Sequence, residues 1–259
     1  MSTRRWRHVV PSGGERRHRV GGRDGTAGSA RGQLSGNDRH DSSGRRRARV
    51  AGGVDALARE HVDALVGALR NPLCDPGRAA RWGNRLAPEL AAGARLLVAG
   101  NGGSAAEAQH LTAELVGRYR DERRPLSALA LHAETSSVTA IVNDYGADEV
   151  FARQIEAHGR IGDTVLLLST SGSSTNVLCA ARRARALGLR VWALTGPAPN
   201  ELASLADDAL CVEADNTATV QEVHLLAAHL LCEGIDAVLS AGATPGLRTR
   251  LAPVREALA

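Results

Sequence analysis

Leu96-Leu97-Val98-Ala99-Gly100-Asn101-Gly102-Gly103-Ser104 joins an unbroken aliphatic run to a glycine loop. A short apolar run without alternation fits a parallel strand covered on both faces. The Gly-Asn-Gly-Gly-Ser turn then opens a helix, where free backbone N–H groups and the helix dipole favour an anion. The same arrangement returns at Val165-Leu166-Leu167-Leu168, followed by Ser169-Thr170-Ser171-Gly172-Ser173-Ser174. A hydroxyl-rich loop without lysine suits a sugar phosphate better than a nucleoside triphosphate. Two such cradles, each at a strand-to-helix turn, predict an α/β protein that binds a phosphorylated small molecule.

Outward from these loops, strands and helices alternate. Strands are predicted over 95–99, 127–131, 164–168, 190–195 and 208–212. Helices are predicted over 103–117, 135–142, 148–158, 174–187, 199–205 and 219–240. Ahead of them a helical period runs through Val54, Leu57, Ala58, His61, Val62, Leu65 and Leu69, broken by Pro72 and Pro76. A second helix fits Gly77 to Ala87, and Pro88 is expected to stop or kink it, although Leu90 continues its apolar face. The pattern predicts a three-layer α/β sandwich preceded by two helices. Residues 1–50 read as a disordered tail, 51–245 as one domain with its helical segment at 51–92, and 246–259 as a C-terminal tail.

The chain has 259 residues and a net charge of +4, and every one of its 32 Lys+Arg residues is arginine. That charge is unevenly placed. Residues 1–50 hold 13 Arg and 4 acids, or +9, and the remainder holds 19 Arg and 24 acids, or −5. A mildly acidic body argues against a nucleic-acid surface there. The first 50 residues lack any aliphatic pattern that would offset the entropy of ordering. With only six aromatic residues, the core must be Leu, Val, Ile and Ala. Cys74, Cys179, Cys211 and Cys232 show no C-x-x-C spacing; the last three sit in apolar stretches and are expected to be buried thiols in a reducing cytoplasm. No apolar run is expected to reach membrane-spanning length. Arg4-Arg5 lacks the apolar segment of an export signal.

His110 and Glu114 stand four apart on the helix after the first loop, hence on one face. Gln221-Glu222-Val223-His224 and His229 lie on the last long helix, and Gln221 and His229 can share a face. Imidazole, carboxylate and amide oxygen meeting at one point could bind a divalent metal such as zinc, or serve as a general acid/base set. The same spacing equally describes a surface i,i+4 pair and a hydrogen-bonded histidine. Asn143-Asp144 closes a helix, as Asn and Asp commonly do, and can also read sugar hydroxyls.

Together these motifs resemble a sugar-isomerase (SIS) domain over residues 95–238, and within it the phosphoheptose isomerase family. The resemblance rests on Gly100–Ser104, His110, Glu114, Gly117-Arg118-Tyr119, Asn143-Asp144, Ser169–Ser174, and Gln221-Glu222-Val223-His224 with His229. It implies a five-stranded parallel sheet and a homotetramer with sites at subunit interfaces. It implies phosphate held by Ser169, Thr170, Ser171 and Ser174, and sugar by Asn101, Gly102, Gly103, Ser104, Glu114, Asn143, Asp144 and Gln221. It implies zinc, one per subunit, on His110, Glu114, Gln221 and His229, and catalysis by Glu114 as base with His229 as proton partner. The reaction implied is sedoheptulose 7-phosphate to D-glycero-D-manno-heptose 7-phosphate through an enediol, for heptose biosynthesis in the cytoplasm. No nucleic-acid or membrane partner is expected.

One position departs from the family pattern: Thr219 stands where an arginine is usual, and the segment 214–218 also differs. The alternatives are an SIS isomerase of another phosphosugar and a non-catalytic SIS adaptor that binds the replication initiator DnaA. Retention of both Glu114 and His229 speaks against the adaptor.

Overall fold

The structure, a computed structural model, describes residues 53–241. The tails expected over 1–50 and 246–259, and Arg4-Arg5, lie outside the described residues. Two helices come first, α1 (Gly53–Arg70) and α2 (Gly77–Ala91). Then follow β1 (Leu96–Gly100), α3 (Gly103–Val116), β2 (Ala128–Ala130) and α4 (Thr135–Tyr145). A 3₁₀ turn at Ala147–Glu149 leads to α5 (Ala152–His158), β3 (Thr164–Ser169) and α6 (Thr175–Ala186). The chain continues through β4 (Arg190–Thr195), α7 (Glu201–Leu205), β5 (Asp208–Cys211) and α8 (Thr217–Ala241).

The five strands pair in the order β2-β1-β3-β4-β5, all parallel, with Leu96–Gly100 in register with Thr164–Leu168. Each strand sends alternate side chains to opposite layers. Leu96, Val98, Leu166, Leu168, Trp192 and Leu194 pack under α2, α3 and α8. Leu97, Ala99, Val165, Leu167, Val191 and Ala193 pack under α5, α6 and α7. This is why the strand sequences show no alternation: both faces are covered. Trp82 of α2 stacks on Trp192 of β4, with centroids 4.9 Å apart and planes 12° from parallel. Its indole Nε1 donates to Asp208 Oδ2 at 2.7 Å, so the polar tip of the buried ring is satisfied.

Several expectations need correction. α2 runs through Pro88 to Ala91. The ring removes one backbone bond, but Leu86 and Leu90 on either side are 1% and 2% exposed, so burial of the next turn outweighs the break. The helix expected over 148–158 begins only at Ala152, because the chain first turns Val150 and Phe151 into the core. The apolar stripe of α1 is buried only at its C-terminal end, through Leu65, Ala68 and Leu69; Val54, Leu57, Val62 and Val66 are exposed. All four thiols are free, but Cys74 and Cys232 are the buried ones, and Cys179 and Cys211 are half-buried. α8 is, by length and composition, apolar enough to cross a membrane, contrary to the reading of the sequence. Half of its apolar stretch is buried within the fold, where Val223, Ala227, Ala228, Leu231 and Ile235 face the sheet and α2.

Candidate active site

β1 and β3 are neighbours in the sheet, and the helices that follow them leave to opposite layers. α3 packs with the α2/α8 layer and α6 with the other. This is the crevice at the carboxyl ends of the strands where open parallel sheets bind ligands. Both loops singled out in the sequence flank it.

The loop after β3 is braced by its own hydroxyls. Ser169 Oγ lies 3.2 Å from Ser174 Oγ and 3.4 Å from Ser171 Oγ, and it accepts the N–H of Gly172 at 3.2 Å. Ser171 Oγ accepts the Ser173 N–H at 3.2 Å and its hydroxyl at 3.1 Å. Ser174 occupies the N-cap position of α6, yet its side chain makes no capping bond. Asn176 Oδ1 accepts the Val177 N–H at 2.9 Å, which leaves the N–H groups of Thr175 and Asn176 for an anion. Thr170 lies within the same loop. Gly172 has φ +62° and its Cα packs on the Asn200 side chain, where a Cβ would collide. Asn200 in turn accepts the Ala203 N–H to cap α7 and donates to Thr195 Oγ1.

The loop after β1 is tied to α6 by a reciprocal amide pair. Asn101 Nδ2 donates to Asn176 Oδ1 and Asn176 Nδ2 to Asn101 Oδ1, each at 2.9 Å. Gly102 precedes α3 at φ 56°, and the Cα of Gly103 lies against the Gln221 amide, leaving no room for a side chain. Ser104 is buried against Gly100 rather than open to a ligand.

α3 and α8 bring the histidines together. His110 Nε2 and His229 Nε2 are 3.0 Å apart, their rings edge to face. Glu114 Oε1 lies 3.6 Å from His110 Nε2. Tyr119 stacks on His229 with centroids 5.7 Å apart. Two imidazole nitrogens this close either share a proton or face a common cation. In tetrahedral zinc coordination, bonds of about 2.0–2.1 Å place two ligand nitrogens roughly 3.3 Å apart, so the pair suits such an ion in both chemistry and spacing. No closed group of three His, Cys, Asp or Glu ligands is already assembled among the described residues. Gln221 makes no hydrogen bond to His110, Glu114 or His229 there. Asn143 and Asp144 are exposed on the last turn of α4 and bond to each other at 2.7 Å, without a bond to this cluster.

Behind the cluster, Glu107 of α3 faces His224 of α8, with Oε2 and Nδ1 3.9 Å apart. Both atoms are buried without a hydrogen-bond partner. Burial pushes the Glu107 carboxyl up to about 8. Burial lowers His224 to about 4, partly opposed by its bond to the Thr195 carbonyl. Both groups are therefore neutral at pH 7. Thr219 is fully buried; its N–H bonds to the Asn216 side chain at 2.8 Å and its hydroxyl has no partner.

Sequence reasoning did not single out Glu107, Asn176 or Asn200, and quoted Tyr119 only within a motif. Glu107 carried a usable signal, three residues before His110 on the same helix face. Asn176 and Asn200 carried none, because their partners are set by loop conformation.

The fold and the paired loops define a sugar-isomerase-type phosphosugar domain, and the family model described as "SIS domain" matches residues 79–196. A phosphoheptose isomerase from Streptomyces coelicolor is 64% identical over 182 residues, which cover 70% of this chain and 79% of that relative. Solved phosphoheptose isomerase structures from Neisseria gonorrhoeae and Francisella tularensis are 39% and 35% identical. They superpose with TM-scores of 0.63 and 0.64, covering 74% and 71% of this chain and 99% and 96% of theirs. The chain belongs to the phosphoheptose isomerase family and is an isomerase of the aldose–ketose type.

Proposed function

We propose that this protein interconverts sedoheptulose 7-phosphate and D-glycero-D-manno-heptose 7-phosphate through an enediol, supplying heptose biosynthesis. The observation that carries the reading is the convergence of His110, Glu114 and His229 beside the two loops. The serine loop and the N-terminus of α6 take the phosphate, and Asn101, Gly102, Gly103 and Gln221 border the sugar. Asn143 and Asp144 would reach the sugar of a neighbouring subunit's site if sites form at interfaces.

Glu114 removes a proton from C1 of the ketose as the C1=C2 bond forms and the C2 oxygen takes a proton. The C1 hydroxyl then gives up its proton, the C1 carbonyl forms, and C2 is protonated. His229 moves the proton between the two oxygens, held in place by Tyr119 on one side and His110 on the other. His110, Glu114 and His229, with Gln221 after a shift of its side chain, would hold a zinc ion. Such an ion would polarise the carbonyl and stabilise the enediolate.

The exposed stripe Val54, Leu57, Val62 and Val66 on α1 supports assembly into a homotetramer, since a stripe of that kind asks for cover. Free thiols and a phosphorylated substrate fit a cytoplasmic location.

NMR of sedoheptulose 7-phosphate with the purified protein in deuterium oxide tests the reading. The expected result is formation of the aldose with deuterium at its C2. Turnover without exchange would point to hydride transfer. Inertness toward this sugar, with turnover of another phosphoketose, would reassign the substrate.

A further inference from the structure

The reacting side chains sit on two helices, and they meet only if α3 and α8 are held in register. Arg123, between α3 and β2, lies where the two helices come closest to its loop. Its Nε donates to Asp236 Oδ1 of α8 at 2.9 Å. Its Nη2 donates to the carbonyl of Glu114 at 2.7 Å, and its Nη1 to the carbonyls of Leu115 at 2.9 Å and Arg124 at 3.2 Å. The second oxygen of Asp236 accepts the Arg120 N–H at 3.4 Å. The two side chains are 7% and 8% exposed. The carbonyls of Glu114 and Leu115 belong to the last turn of α3, which lacks partners within the helix. A guanidinium there also complements the negative end of the helix dipole.

His229 and Asp236 are seven residues apart on α8, about 20° apart around its axis. The seam between α3 and α8 is thus joined at His110–His229 and, two turns further along α8, through Arg123–Asp236, beside which Arg120 of the same loop bonds Glu233 at 2.9 Å. Glu114 belongs to both levels. Its carboxylate lies near His110 and its carbonyl is bonded to Arg123. Cys232, buried on α8 between His229 and Asp236, has its thiol pushed up to about 12, by burial first and then by Glu114 and Asp236, with Arg123 opposing.

We infer that the Arg123–Asp236 pair is a positioning device for the isomerisation, fixing α3 against α8 and hence the Glu114 carboxylate against His110 and His229. The inference rests on the reading of Glu114 and His229 as the groups that move protons. Stability alone does not call for such a pair, because apolar side chains of similar volume often replace a buried ion pair without loss. An apolar pair would lack the donor fork to the Glu114 carbonyl.

The test replaces both partners together, Arg123→Met with Asp236→Leu, so that no charge is left stranded. Titration with inorganic phosphate should match the wild type, and the variant should stay folded with a melting temperature lowered by the backbone groups left unpaired. KM should stay within about threefold while kcat falls by about 10–100-fold, because a displacement on the ångström scale costs that order. Arg123→Lys keeps the ion pair but loses the fork, and should lower kcat by roughly tenfold. A folded double variant with kcat near the wild-type value would overturn the inference, as would a loss confined to KM. If the double variant fails to fold, Arg123→Lys decides by the same two outcomes. Glu114→Gln is measured alongside. Near-native kcat there removes the reading of Glu114 as base; an inactive Glu114→Gln beside unimpaired Arg123 variants removes only the positioning role.

Discussion

The serine loop and the histidine cluster are built in opposite ways. The serine loop is braced by bonds between residues two to five apart, Ser169 with Ser171 and Ser174, Ser171 with Ser173. The cluster joins His110 to His229 across 119 positions of chain, and it depends on how α3 is held against α8. A locally braced loop should lose one hydrogen bond at a time. A cluster assembled by packing should fail as a unit, and it should respond to changes far from its own atoms.

The largest effect is expected in the cluster. Glu114→Gln keeps the shape but supplies a poor base, and should lower kcat by about 10²–10⁴-fold with inorganic phosphate affinity unchanged. Steady-state kinetics and phosphate titration on one preparation check both halves. Equal loss in both would mean that the two regions do not work separately.

Next comes the point where the loop depends on a distant neighbour. Gly172→Ala puts a side chain at φ +62° and against Asn200, displacing the cap of α7. Backbone strain and the lost cap together should cost about 2–3 kcal/mol. Thermal or urea unfolding measures it, and a cost below a few tenths would show that Asn200 moves aside freely.

Within the loop, Ser171→Ala removes one hydroxyl while Ser169, Thr170 and Ser174 remain. A hydrogen bond to a charged oxygen is worth roughly 1.5–3 kcal/mol, and compensation favours the lower figure, so the expected loss of phosphate affinity is about tenfold. Calorimetric titration reads it. An unchanged affinity would move the phosphate to the Gly100–Ser104 loop.

A pH-dependent effect lies behind the cluster. The Glu107 carboxyl is raised to about 8 by burial, so the folded state binds a proton that the unfolded chain releases near its ordinary value of about 4.3. Its contribution is complete below that value and is lost as pH rises toward 8. Glu107→Gln, which stays neutral, should flatten the fall in melting temperature between pH 5 and pH 8. His224, lowered to about 4, acts in the other direction, costing stability as pH falls from about 6.5 toward 4. That acid limb should persist in the variant.

The same contrast explains what could be read from the chain. All five strands were expected within one or two residues of their places, because two-sided burial leaves unbroken aliphatic runs such as Val165–Leu168. The serine loop was readable for the same local reason. His110 and Glu114 were visible as an i,i+4 pair, but nothing in their spacing placed His229 opposite them; the family resemblance suggested that pairing. The course of α2 past Pro88 was hidden, since it depends on Leu90 finding a place against the sheet layer. Glu107 and His224 read as an ordinary carboxylate and an ordinary imidazole. Their neutrality comes from burial between α3 and α8, which only the assembled fold provides.

Trp82 and Trp192 are the two indoles among the described residues. With parallel rings 4.9 Å apart, their electronic transitions couple, so the protein should show a paired near-ultraviolet circular dichroism signal. One ring belongs to α2 and the other to the central part of the sheet. The signal therefore reports whether the helical layer is seated on the strands. The pair lies at β4, level with Asp208 at the start of β5, away from the carboxyl ends of β1 and β3, so sugar phosphate should leave it unchanged. Loss of the signal, set beside loss of turnover, would tell a variant whose layers have parted from one whose chemistry alone has stopped.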